Sequence, residues 1–212
     1  MNMRISLLNR IKYPLGILAT VGALGAVPIA STAKTNTQKI AQTVSTDHFE
    51  KTLSGLITDS KILGKAPTPE IEIQGKKKLA TLVVDIKNNI LYRYNEAGQA
   101  IEAYKTACGA AKTPTPKGIS IVTDIQDYPY STLSPATKRY KNPDDYGPNI
   151  LELKSVNPET GAIVDNGIFI HGTKNPYAIG KKVTHGCVRV HNKDIMYLVT
   201  KIKIGQYVHF IK

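Results

Sequence analysis

The stretch Leu79–Cys108, LATLVVDIKNNILYRYNEAGQAIEAYKTAC, decides the fold. Leu79 to Ile86 is an apolar, β-rich run, and Lys87, Asn88 and Asn89 turn the chain into a second run, Ile90 to Tyr94. Asn95 to Gly98 supplies the next turn, and Ile101 to Cys108 resumes extended structure. β-branched and aromatic side chains suit a pleated, half-buried surface, whereas Asn and Gly suit tight turns. Downstream the pattern repeats at Ile119–Thr123, Ile150–Leu153, Gly167–His171 and Tyr207–Ile211. Short strands at short spacing predict a mainly β domain over residues 79–212, sandwich-like or barrel-like, with one or two short helices. The convincing helix places Ile195, Leu198, Val199 and Ile202 on one face, with Asn192 as its N-cap. Between strands, Asp124–Pro148 carries prolines 129, 135, 143 and 148 and reads as a long irregular loop that shapes a binding site.

Upstream of Leu79 the character changes. Lys65–Glu70 (KAPTPE) reads as a linker. Before it, Phe49, Leu53, Leu56 and Ile57 recur at helical spacing and predict a short helix from about Asp47 to Asp59. Lys34–Thr46 is polar, Thr-rich and aperiodic, so residues 34–78 read as a flexible leader with a possible short helix and a linker. The first thirteen residues carry Arg4, Arg10 and Lys12 and no acid, ahead of an uncharged apolar run from Leu15 to Ile29 and the small residues Ala30 to Ala33. That layout is a secretory signal over residues 1–33, cut before Lys34, and it predicts an exported protein of the periplasm or cell wall. The run falls short of the roughly 20 apolar residues that a spanning helix needs, so no stable membrane insertion is expected after cleavage. The alternative is an uncleaved anchor.

The formal net charge is +12, and loss of residues 1–33 lowers it to +9. A basic balance favours anionic partners. The lysines are scattered, however, with one tight cluster at Lys76–Lys78 and no interleaved aromatics, so nucleic acid is not an expected partner. Two cysteines, Cys108 and Cys187, in an exported chain admit a disulfide.

The chemistry concentrates in Ile168–Asn192, IFIHGTKNPYAIGKKVTHGCVRVHN. A cysteine attacks as its thiolate and so needs a base or a positive environment. Three of the five histidines, His171, His185 and His191, stand within reach of Cys187 in sequence. In a strand, Ile168 and Ile170 face one way while Phe169 and His171 face the other. The Gly172 carbonyl could set the imidazole tautomer, as the third member of a triad does. Gly186 strips bulk beside the cysteine and lets a carbonyl approach backbone N–H groups. Two histidines and a cysteine could also ligate zinc, yet no Cys-x-x-Cys pair or carboxylate cluster completes a fourth position.

These residues resemble the signature of the L,D-transpeptidase catalytic domain (YkuD-type). His171 is followed after a twelve-residue spacer by Thr184-His185-Gly186-Cys187, and Val188-Arg189-Val190 is similar to the family's continuation. Thr113–Gly118 (TPTPKG) and Gly147-Pro148 resemble two further motifs of that domain. The resemblance covers about Leu79–Lys212 and implies Cys187 as nucleophile and His171 as base. Gly172, Gly186 and His185 become orienting or oxyanion positions, and Arg189 and Thr184 substrate-binding positions. It further implies peptidoglycan peptide stems as partners, with no cofactor and no metal. The expected reaction is cysteine acyl transfer from a tetrapeptide donor to an amine, forming 3-3 crosslinks. L,D-carboxypeptidase action, attachment of a protein to peptidoglycan and a non-catalytic wall-binding module are the alternatives. On this reading Cys108 and Cys187 stay unjoined, because a bridge would consume the attacking sulfur.

Overall fold

The computed structural model describes residues 54–57, 59–128 and 143–212. The expected signal peptide, most of the leader and the middle of the 124–148 loop lie outside the described residues. Among those described, the chain is mainly β with two short helices, in line with the reading from sequence.

The strands are β1 (Leu56–Ile57), β2 (Glu70–Ile73), β3 (Lys76–Leu79), β4 (Leu82–Asp85), β5 (Ile90–Tyr94), β6 (Ala100–Lys105) and β7 (Cys108–Gly109). Then come β8 (Gly118–Asp127), β9 (Asn149–Val156), β10 (Ile163–His171), β11 (Lys182–Thr184), β12 (Val188–Arg189) and β13 (Tyr207–Ile211). Helices α1 (Ser60–Leu63) and α2 (Asn192–Leu198) complete the set. Nine strands form one sheet in the order β1-β6-β5-β4-β13-β8-β9-β10-β12. Its neighbours are antiparallel except β4–β13 and β10–β12, which are parallel.

The sheet curls. Leu91 and Tyr104, near one end, share a buried core with Ile170 and Val188, at the other end. The two ends meet where Ala107, just past β6, exchanges both backbone hydrogen bonds with Arg189 of β12, at 2.8 and 2.9 Å. This bridge satisfies backbone groups that an open edge would leave to solvent. It also puts β12, the strand that follows Cys187, in the closing seam. Ile195, Leu198 and Ile202 cap the same core from α2 and the turn after it. On the other face Val83, Tyr92, Tyr94 and Ala103 pack against Ile71 and Ile73.

Three features depart from the sequence reading. Leu56–Ile57 is strand, paired with Tyr104 and Ala103, where helical spacing pointed to a helix through Asp59. The free edge of β6 offers those residues backbone partners and burial, which outweigh weak local periodicity. Residues 47–53 of that helix lie outside the described residues. Ordered structure also begins upstream of Leu79: β2 and β3 form a hairpin across the two-residue turn Gln74–Gly75, burying Ile71 and Ile73 and leaving Lys76–Lys78 exposed. Finally, His191 rather than Asn192 is the N-cap of α2 and makes no side-chain cap bond. The Asn192 side chain turns back to the strand loop instead.

Candidate active site

Parallel pairing of β10 with β12 sets Ile170 beside Val188 and His171 beside Arg189. Alternation along each strand then sends Phe169, His171, Cys187 and Arg189 to one side of the seam. Tyr146, Ile150, Phe169 and Cys187 form a small separate core there. A 3-10 turn, Pro143–Tyr146, lays the Tyr146 ring 4.8 Å from that of His171 and 5.9 Å from that of Phe169. The resulting cleft, of about 210 Å³, is lined by Asp145, Tyr146, His171, His185, Cys187 and Arg189. The structure therefore brings together six residues from two separate segments, four of them expected and two, Asp145 and Tyr146, not.

Burial dominates the electrostatics. His171 is 2% exposed and Cys187 5%. Desolvation drives the imidazole down to about 3, helped by the nearby Arg189 charge and opposed by the Gly172 and Tyr146 carbonyls and by Asp145. The thiol is driven up to about 11 by the same loss of water, with the Phe169 backbone and Arg189 pulling it back. At neutral pH the pair thus rests as thiol and neutral imidazole, not as a preformed ion pair. Cys187 Sγ points at the Gly167 carbonyl, 3.9 Å away. Both cysteines are free thiols, as expected.

The His171 Nδ1 atom is buried and makes no well-formed hydrogen bond, although the Gly172 carbonyl faces the ring closely enough to favour its protonated form. With Nδ1 turned inward, Nε2 is the nitrogen left to serve the cleft. Asp145 pairs with Lys174 at the surface, where such a pair is worth little.

The Cys187 turn is held from below. Thr184 Oγ1 donates to the Cys187 carbonyl at 2.6 Å and accepts from Gly186 N–H at 3.2 Å. Thr115 Oγ1 donates to the Gly186 carbonyl and accepts from Gly109 N–H, each at 2.8 Å. Thr113 Oγ1 donates to the Thr184 carbonyl at 2.9 Å. Gly186 sits at φ +115°, which strains any side chain, and a Cβ there would also crowd Ile168 Cδ1 at 3.0 Å. Thr184, read from the resemblance as substrate-binding, is instead 1% exposed with its hydroxyl spent on its own turn. It shapes the Cys187 loop. His185 is exposed at the cleft mouth, and Arg189 is half-buried with Nε lacking a partner. The sequence reading noted the TPTPKG motif but missed the work of its hydroxyls, since a clamp on a carbonyl 71 residues away leaves no local pattern.

Fold and cleft together define a curled β domain that carries a thiol and an imidazole on its closing strands. The chain belongs to the L,D-transpeptidase catalytic-domain family, whose YkuD model matches residues 80–210. The probable L,D-transpeptidase ErfK/SrfK of Escherichia coli K12 is 31% identical over 134 residues, 61% of this chain and 43% of that protein. The probable L,D-transpeptidase YbiS of the same strain is 50% identical over 42 residues, 20% of this chain and 14% of that one. An L,D-transpeptidase structure from Xylanimonas cellulosilytica aligns with a TM-score of 0.45 at 19% identity, over 70% of this chain and 65% of that one. The chain spans about half the length of the curated relatives it matches. Among the described residues no helix is long and apolar enough to cross a membrane.

Proposed function

We propose that this protein is an exported peptidoglycan L,D-transpeptidase, working by cysteine acyl transfer between peptide stems. The observation that carries the reading is the convergence of Cys187, His171 and Arg189 in one cleft on a domain of this family. As the donor stem binds, His171 Nε2 takes the thiol proton and Sγ attacks the carbonyl carbon of the L-centre residue. The His185 and Cys187 backbone N–H groups stabilise the oxyanion, the Gly186 N–H being held by Thr184 Oγ1. Collapse breaks the C–N bond, His171 returns its proton to the departing D-amino acid, and a thioester remains. An amine of a second stem then attacks the thioester and gives its proton to His171. The new amide is the 3-3 crosslink, and the proton returns to sulfur. The broken peptide bond supplies the acyl group, so the sequence of steps calls for no cofactor or metal.

Arg189, with a free donor at the cleft wall, suits a stem carboxylate. His185 at the mouth suits contact with the incoming amine. The test is to incubate residues 34–212 with purified tetrapeptide muropeptides and resolve the products by mass spectrometry. Crosslinked dimers lacking one terminal D-residue support the reading. Trimmed monomers alone would assign an L,D-carboxypeptidase instead, and unchanged substrate would point to a non-catalytic wall-binding module.

A further inference from the structure

The loop after His171 is built around an amide that neither the nucleophile nor the base accounts for. Asn192, the first residue of α2, turns its side chain back so that Oδ1 accepts the Thr173 N–H at 2.7 Å. The same oxygen fills the space over Gly172: a Cβ on Gly172 would collide with it and meet Pro148 Cδ at 2.9 Å. Gly147 closes the other side, where a Cβ would meet Gly172 Cα and Thr173 N, each at 2.8 Å. Three backbones and one amide are thus packed with no room for a side chain.

The geometry of the peptide bond gives this contact its meaning. The Gly172 carbonyl and the Thr173 N–H belong to one planar trans unit and point in opposite directions. Pinning the N–H on one side therefore aims the C=O on the other. A glycine is free to rotate this unit cheaply, so the orientation needs an external hold. The carbonyl so aimed faces the His171 ring, more strongly than the Tyr146 carbonyl does, and the buried Nδ1 makes no well-formed hydrogen bond elsewhere that would compete for it. A proton kept on Nδ1 leaves Nε2 bare, which is the form a general base requires.

We infer that Asn192 is a positioning residue, which holds the Gly172–Thr173 peptide plane so that the Gly172 carbonyl selects the Nδ1–H tautomer of His171. The inference rests on the role proposed above for His171 as base. Asn192 does not touch substrate; it acts through the peptide unit. The three-residue strip Gly147, Gly172 and Asn192 is then one device, with two side chains removed so that a third can reach the backbone.

The experiment compares wild type with Asn192→Ala, Asn192→Ser and Asn192→Asp. The ring-nitrogen shifts of ¹⁵N-histidine-labelled protein are read first, without substrate. Wild type and Asn192→Asp, which keeps an acceptor in place, should show His171 with its proton on Nδ1. Asn192→Ala and Asn192→Ser should show a mixture of tautomers. Turnover on muropeptides should fall about 10- to 100-fold in kcat for Ala and Ser, the scale set by a misplaced catalytic group, with KM little changed. Asn192→Asp should recover most of kcat. Lower stability with wild-type tautomer and wild-type kcat per folded molecule would overturn the inference, and so would failure of Asp to outperform Ser. If the wild type itself transfers no acyl group, the proposed reaction fails, while the tautomer arm still decides the role of Asn192.

Discussion

Cys187 and His171 illustrate how burial, rather than charge pairing, sets the resting state of a thiol and an imidazole. Both are almost wholly enclosed, and both are held in their neutral forms, the thiol up at about 11 and the imidazole down at about 3. The facing groups from the packed elements are Arg189, Asp145, Tyr146 and His185. Arg189 acts in both directions, disfavouring imidazolium and favouring thiolate. In the proposed mechanism, proton transfer then waits for substrate instead of preceding it. In the free protein neither group titrates near neutrality, so kcat/KM should stay flat from about pH 5 to about pH 9, well inside the span between the two perturbed groups. Initial rates across that range check this; an acid limb near the ordinary histidine value would overturn the resting state drawn here. Cys187→Ala and His171→Ala should each abolish product while leaving the thermal transition in place. Retention of more than about a tenth of wild-type activity by Cys187→Ala, roughly 1.4 kcal/mol of barrier, would refute the nucleophile.

At the level of elements, the Cys187 turn hangs on threonine hydroxyls from the 113–118 turn and from its own strand. Thr115 is 4% exposed and serves two backbone groups at once. Thr115→Val keeps the shape but strands a buried carbonyl and a buried N–H, which should cost about 1–3 kcal/mol of stability for each orphan left unpaired. Urea denaturation reads that loss, and kcat should fall with it because Gly186 adjoins the sulfur. A second tie joins the segment before β1 to α2: Asp194 accepts from Ser54 Oγ at 2.5 Å and from Gly55 N–H at 2.6 Å. Asp194→Ala should expose the amides of residues 54–57 to hydrogen exchange while the protection of β4 and β13 persists. Equal deprotection everywhere would mean that the tie belongs to the global core instead.

Among the described residues the largest acid-linked shifts fall on Glu102 and His171, with His191 and His209 also held down by burial. Burial alone would raise Glu102, but hydrogen bonds from Arg93, Tyr104 and Tyr197 outweigh it and hold the carboxyl near 2. This network, with Arg93 bonded to both carboxylate oxygens at 2.6 and 2.7 Å, joins β5, β6 and α2 across the sheet end. A carboxyl depressed from its ordinary 4.5 contributes stability above that value and loses it as pH falls toward 2. His171 has the same sign: stability present above 6.5 is lost as pH falls toward about 3, because the unfolded chain binds the proton first. Chemical-denaturation midpoints should therefore decline in two stages on acidification. Glu102→Gln should flatten the lower stage and His171→Gln the upper one. Unaltered profiles in both variants would place the acid sensitivity elsewhere.

By itself the sequence determined what is local and periodic. The strands Ile90–Tyr94 and Tyr207–Ile211 match their observed bounds, because alternation and turn residues act within a few positions of one another. That His171 and Cys187 share a cleft was foreshadowed by their motif, since the two and the glycines beside them stand within seventeen positions in one short segment. The tertiary structure alone decided the rest. It made Leu56–Ile57 a strand, since the deciding partner was the distant edge of β6. It bonded the Thr184 hydroxyl into its own turn, placed Tyr146 on the imidazole, and turned Asn192 from a helix cap into a hold on Thr173. Each of these depends on which backbone group lies within about 3 Å once the sheet has curled, and hydrogen bonds of that reach are invisible to any pattern along the chain.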